Sequence, residues 1–142
     1  MSDLSPEDIA LLEAQVPVGL LMPTDETMRL VHITGDVVEV HVGAAAESVT
    51  TADGLVFWFD AGSGSLAVNR MATLNLLAVS RFSARTVPLL RGAVLVTGQH
   101  AGDPAGLTDD QIEALGREPG PVWWVNSVLR MRVGRDGRRP RA

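Results

Sequence analysis

Cysteine, lysine and tyrosine do not occur in this chain of 142 residues, and aromatic residues make up only 4% of it. Without cysteine there is no disulfide framework, no thiolate zinc site and no cysteine nucleophile, so stability has to come from packing. Without lysine there is neither a Schiff-base amine nor the phosphate-gripping lysine of a P-loop, and all 12 basic residues are arginine. Long apolar runs are missing too. Hydrophobic residues are 46% of the chain, enough to build a core, yet no run approaches the roughly 20 residues that a membrane helix requires. The opening Met-Ser-Asp-Leu lacks the basic-then-apolar pattern of a secretory signal, so we expect a cytoplasmic protein without a membrane partner.

What is present is segregated by charge. Residues 1–60 hold 11 acids against Arg29 alone, whereas residues 61–102 contain no acid and carry Arg70, Arg81, Arg85 and Arg91. Residues 103–129 return to a formal -4, and residues 130–142 reach +5 through Arg130, Arg132, Arg135, Arg138, Arg139 and Arg141 against Asp136. The net charge of -5 therefore conceals an acidic front, a basic middle and an arginine-rich tail. Domain size and the dispersed apolar residues suggest one globular unit over residues 1–133, followed by a tail over 134–142 whose composition is that of a disordered segment.

Local signals suggest the elements. Ser5 as cap, Pro6 in the first turn and Glu7 and Asp8 at the positive dipole end predict a short helix from Ser5 to Gln15. Val18 to Met22 and Arg29 to Ile33, separated by the polar Thr24-Asp25-Glu26-Thr27, read as a hairpin. Between Thr34 and Gly43 the signals conflict. Val38, Val40 and Val42 alternate as in a strand, while Thr34 or Asp36 could open a helix ended by Gly43, and periodicity favours the strand. Glu47 to Thr50 and Leu55 to Asp60 read as strands, the second rich in aromatics. Asn69 then caps an apolar helix over Arg70 to Ser80, and Ala93-Val94-Leu95-Val96 between Gly92 and Gly98 reads as a buried central strand. Thr108 and Gln111 form a capping box ahead of Ile112 and Leu115. The segment from Val122 to Val133 alternates in parts and suggests a further strand. The expected fold class is α/β of the α+β kind: a single small mixed or antiparallel sheet of four to six strands with two to four helices.

The order of these features, Gly43 before Glu47-Ser48-Val49, an aromatic strand ending at Asp60, then Asn69-Arg70-Met71-Ala72-Thr73 and Gly92-Ala93-Val94-Leu95-Val96-Thr97-Gly98, resembles the family catalogued as domain of unknown function 3846. That family is common in actinobacteria, their phages and their plasmids. The resemblance spans residues 18–98, and its most specific element is Asn-x-x-Ala-Thr followed by the glycine-flanked strand. It implies that residues 35–42 are helical and that Gly43 caps them, against the alternation of valines. Members often show two glycines where this chain has Gly43-Ala44, and the tryptophan-bearing C-terminal part lies outside the shared region. The family brings no activity with it.

Chemistry has few footholds. Gly62-x-Gly64-x-x-Ala67 has the outline of a dinucleotide-binding turn, but the ribose-binding acid due about 20 residues later is missing, and ordinary turn chemistry accounts for the glycines. His32, His41 and His100 stand apart, without metal-ligand or nucleophile-elbow spacing, so no catalytic residue, metal or cofactor is expected. A helix start at Asn69 beside Arg70, with Thr73 one turn on and Arg81 and Arg85 beyond, could hold an anion; equally, Asn69 could cap, Thr73 pack and Arg70 face water. Trp123 and Trp124 fall on opposite faces of a strand, one for the core and one for a partner. The six tail arginines could neutralise nucleic-acid phosphates or simply solvate the tail. The expected function is that of a non-catalytic accessory binding protein of phage or plasmid type, recognising an anionic ligand such as a nucleotide or nucleic-acid backbone. The alternative is a protein-binding factor that modulates a host protein, and an enzyme whose site is invisible in sequence ranks third.

Overall fold

In a computed structural model, which describes residues 5–25, 27–60 and 66–115, the chain opens with the helix α1 (Pro6–Glu13). Its start is a capping box: the Ser5 hydroxyl accepts the Asp8 amide at 3.1 Å while the Asp8 carboxylate accepts the Ser5 amide at 3.3 Å. The other Asp8 oxygen accepts the buried amide of Leu30 at 3.0 Å, so one carboxylate both starts the helix and ties it to a strand. The helix ends earlier than its apolar pattern suggests, because Gln15 takes φ 56, which no helix accommodates.

The strands β1 (Val18–Met22) and β2 (Arg29–His32) form the expected hairpin, in register Leu20↔Leu30. The helix α2 (Val37–His41) comes next, so the strand expected from the valine alternation is corrected to the helix that the resemblance implies. Val40 N–H donates to the Asp36 carbonyl at 2.9 Å and Val42 N–H to that of Val38 at 2.8 Å, and Gly43 at φ 132 stops the run. At this position helical bonding lets Val37 (buried), Val38 and Val42 face one side together, which an extended chain would not do.

The remaining elements are β3 (Ala46–Thr50), β4 (Val56–Asp60), α3 (Arg70–Val79), β5 (Val94–His100), β6 (Asp103–Ala105) and α4 (Asp109–Leu115). The sheet is antiparallel throughout, ordered β2-β1-β5-β4-β3, with β6 paired to the far end of β5. This single six-stranded sheet with four helices is the α+β architecture expected, and the antiparallel option is the one realised. Nothing in the sequence pointed to β6. It is a short return over the two-residue turn Ala101-Gly102, both at positive φ, which is the twist-compatible hairpin geometry.

Both faces of the central strands are buried. One face carries Leu20, Met22, Leu30, Phe57, Val94 and Val96, covered by Ala72 and Leu76 of α3 and Leu115 of α4. The other carries Leu21, Val31 and Leu95, covered by Val37 of α2, with Trp58 packed beside them. The Trp58 indole N–H donates to the Thr97 hydroxyl at 2.9 Å, and that hydroxyl donates to the Gly98 carbonyl at 2.7 Å, so the polar tip of a large ring is satisfied inside the sheet. Among the described residues no helix is long and apolar enough to cross a membrane.

The Asp8 contacts generate one expectation. Asp8→Ala removes the acceptor of both the Ser5 and the Leu30 amides and leaves the latter buried without a partner. The loss should be about 2–3 kcal/mol in urea unfolding at neutral pH.

A second expectation concerns pH. The Thr27 hydroxyl, 2.5 Å from Asp25 Oδ1, and then the Thr27 amide, at 3.1 Å, hold the Asp25 carboxyl below its ordinary value of 3.8. A depressed folded value means a stabilising contribution present above the unfolded pKa and lost as the pH falls through the lower folded one. Asp25 is fully solvent-exposed, so the effect belongs to the titration rather than to stability. In Thr27→Val the Asp25 midpoint, followed by carboxyl NMR shifts, should move upward toward the ordinary aspartate range.

Candidate functional site

Asn69 occupies the N-cap of α3, as its residue type and spacing predict, and its Oδ1 accepts the Ala72 amide at 3.1 Å. The other end of the same amide group reaches into the sheet. Nδ2 donates to the Met22 carbonyl at 2.7 Å and to the Gly92 carbonyl at 2.8 Å, at the end of β1 and just before β5. Thr73 is used as fully: its hydroxyl donates to the Asn69 carbonyl at 2.9 Å and accepts the Leu90 amide at 3.1 Å. Both residues are 1% exposed. The expectation that Asn69 and Thr73 bind a ligand is therefore corrected. Every polar atom of the two side chains has an internal partner, and none faces solvent.

The acid-free stretch has a similar explanation for much of its length. Ala72, Thr73, Asn75 and Leu76 on α3 and Val94 to Gly98 on β5 are buried, and carboxylates are scarce where water is excluded. Its arginines are placed outside this interior. Arg91 is half-buried and its Nη1 donates to the Leu66 carbonyl at 2.9 Å, bracing the chain before α3. Arg70 is exposed on the first turn of α3, and Arg81 and Arg85 are exposed on the segment after the helix.

Of the expected ligand-binding residues, Arg81 lines a cleft. It is an open space of about 660 Å³, with one wall from the β3–β4 turn (Thr50, Thr51, Ala52, Asp53) and the other from the last turn of α3 and the three residues beyond it (Ala78 to Phe82). The first wall is fixed by its own hydrogen bonds: Gly54 N–H to the Thr51 carbonyl at 3.0 Å, Leu55 N–H to the Thr51 hydroxyl at 3.2 Å, and Thr51 N–H to the Leu55 carbonyl at 2.8 Å. Gln111 of α4 adds a longer bond of 3.4 Å to the Asp53 carbonyl.

The second wall is fixed differently. Ser80 is extended, so α3 stops abruptly, and its hydroxyl accepts the Phe82 amide at 3.3 Å. Ser83 and Thr86 then close a turn through Ser83 N–H to the Thr86 hydroxyl at 2.9 Å and Val87 N–H to the Ser83 carbonyl at 2.9 Å. Ala84 and Val87 anchor that turn in the core, leaving Arg81, Phe82 and Arg85 outward. Phe82 is 38% exposed, a large ring presented at the mouth of the cleft.

Thr50, Thr51, Asp53, Ser80 and Phe82 were not legible as site residues. They come from segments about 30 positions apart in the chain, and neither segment carries a motif. His32, His41 and His100 lie at the ends of β2, α2 and β5, and no group of three or more potential metal-binding side chains forms among the described residues. Trp123, Trp124, Arg130, Arg132, Arg135, Arg138, Arg139 and Arg141 lie outside the described residues, as do the strand expected at Val122 to Val133 and the glycines of the Gly62-x-Gly64 turn.

Fold and cleft together define the class, an α+β protein on one antiparallel sheet with an open cleft of mixed polarity beside the β3–β4 turn. No protein-family profile, curated protein or solved structure matches the chain.

The interior role of Asn69 and Thr73 makes a measurable claim. Thr73→Val keeps the shape and deprives the buried Leu90 amide of its acceptor, at a cost of about 1–3 kcal/mol in urea unfolding. Asn69→Asp keeps the cap acceptor and sets a carboxylate against two carbonyl oxygens, so it should cost more than Thr73→Val at pH 7 and recover part of that loss at pH 4.

Proposed function

We propose that this protein is a non-catalytic binding module for a small anionic ligand and that the cleft ending at Arg81 is where the ligand sits. The observation that carries the reading is Arg81 itself: an exposed guanidinium on the wall of a cleft whose floor and rim include the hydroxyls of Thr50, Thr51 and Ser80. A guanidinium presents a fork of donors matched to phosphate or carboxylate, and hydroxyl groups supply further donors to the same oxygens. A volume of about 660 Å³ falls within the range usual for small-molecule sites. The setting that goes with this reading is a cytoplasmic accessory protein of the phage or plasmid type implied by the resemblance to the domain of unknown function 3846.

Binding should be measured on the full chain against mixed-sequence DNA, RNA and nucleotides at two salt concentrations. The panel of proteins comprises wild type, Arg81→Ala, and a variant with Arg130, Arg132, Arg135, Arg138, Arg139 and Arg141 changed to Gln. Arg81→Ala should weaken nucleotide binding about tenfold or more, the loss of one charge-assisted contact, while the tail variant binds as wild type does. Absence of binding by every form, or binding that depends on the tail alone, would sink the assignment to the cleft.

A further inference from the structure

The cleft that accepts an anion at Arg81 also contains features that repel one. Asp53 lines the opposite wall with an exposed carboxylate. The C-terminal turn of α3, residues Ala78 and Val79, lines the same space, and the last carbonyls of a helix carry the negative end of its dipole. A site with one guanidinium, one carboxylate and a helix C-terminus is amphoteric. It suits a molecule with a single anionic group at one end and N–H or O–H donors at the other.

Resting on the cleft reading above, we infer that the ligand is a nucleoside monophosphate and not a nucleic-acid backbone. Its phosphate lies at Arg81 with the hydroxyls of Ser80 and the β3–β4 turn. Its ribose hydroxyls or exocyclic amine donate to Asp53 and to the carbonyls that end α3. Its base stacks on Phe82, whose ring is 38% exposed at the mouth of the cleft. A run of phosphates would instead set further negative charge against Asp53 and the helix end, with no second arginine among the described residues of the cleft wall to offset it. The volume agrees, since about 660 Å³ exceeds what a phosphate alone would fill and has room for a base and a sugar.

The roles of Arg81 and Asp53 separate in a binding experiment on the full chain, using inorganic phosphate, adenosine 5′-monophosphate and a single-stranded 12-mer of DNA as probes. Wild type should bind the monophosphate about tenfold or more tightly than phosphate, and more tightly than the 12-mer at equal phosphate concentration. Arg81→Ala should weaken both small probes. Asp53→Asn should divide them, leaving phosphate bound equally or better because a repelling charge is gone, and weakening the monophosphate several-fold because an acceptor is lost. Phe82→Ala should weaken the monophosphate and leave phosphate unchanged. All three side chains are exposed, and unchanged urea midpoints would show that the variants fold.

The inference is overturned if phosphate and the monophosphate bind equally, if Asp53→Asn tightens both alike, or if the 12-mer binds best. Those results leave an anion site at Arg81 standing. If none of the probes binds, or if Arg81→Ala changes nothing, the cleft reading itself fails and the inference fails with it.

Discussion

One carboxamide holds together parts of this protein that are far apart in the chain. Asn69 starts α3 with its oxygen and, with its nitrogen, clamps the carbonyls of Met22 and Gly92, where β1 ends and the chain enters β5. Those carbonyls come together because β1 and β5 are antiparallel neighbours with Met22 opposite Val94. The group is buried, so a missing partner would cost about 1–3 kcal/mol, and its three bonds specify one placement of the helix on the sheet. Thr73 repeats the restraint one turn later, on the strand-like segment at Leu90. The helix start is thus a structural joint.

The consequence is felt at the other end of α3. A helix of 10 residues carries its last turn about 15 Å from its cap, so anchoring Asn69 also decides where Ser80, Arg81 and Phe82 emerge. They emerge beside the β3–β4 turn, which is rigid for its own reasons, and the gap between the two is the cleft. Its walls are held by turns with buried anchors, Ala84 and Val87 on one side and Thr51 on the other. The charged side chains at the rim are free of any such burial, an arrangement that pairs fixed backbone with adaptable heads.

The sheet explains the uneven burial of its strands. β1 and β5 lie inside and are covered on both faces, so they read as continuous apolar runs and show no alternation. β2 and β3 are the edges of the main path, short and partly exposed, with Arg29, Glu47 and Ser48 turned to solvent, a composition that discourages pairing with another chain. The helices divide in the same way, α1, α3 and α4 serving one face and α2 the other.

Elements whose signals are local were legible in the residues alone: the Ser5 and Thr108 capping boxes, the Asn69 cap, the hairpin around Asp25 and the glycine-bounded Val94 strand all lie where spacing and residue type place them. Capping and turn chemistry involve neighbours three or four positions apart, and so the sequence by itself determined them, together with the α+β class that they imply. The outcome for Val37 to His41, the existence of β6, the sheet order and the cleft were decided only in three dimensions. Valines at alternate positions satisfy a strand or one face of a short helix equally well, and only the apolar patch of Leu21, Val31 and Leu95 selects between them. An asparagine beside an arginine looks the same in a sequence whether its amide meets a ligand or two carbonyls of its own sheet, because the distance from residue 69 to residues 22 and 92 exists only once the chain has folded.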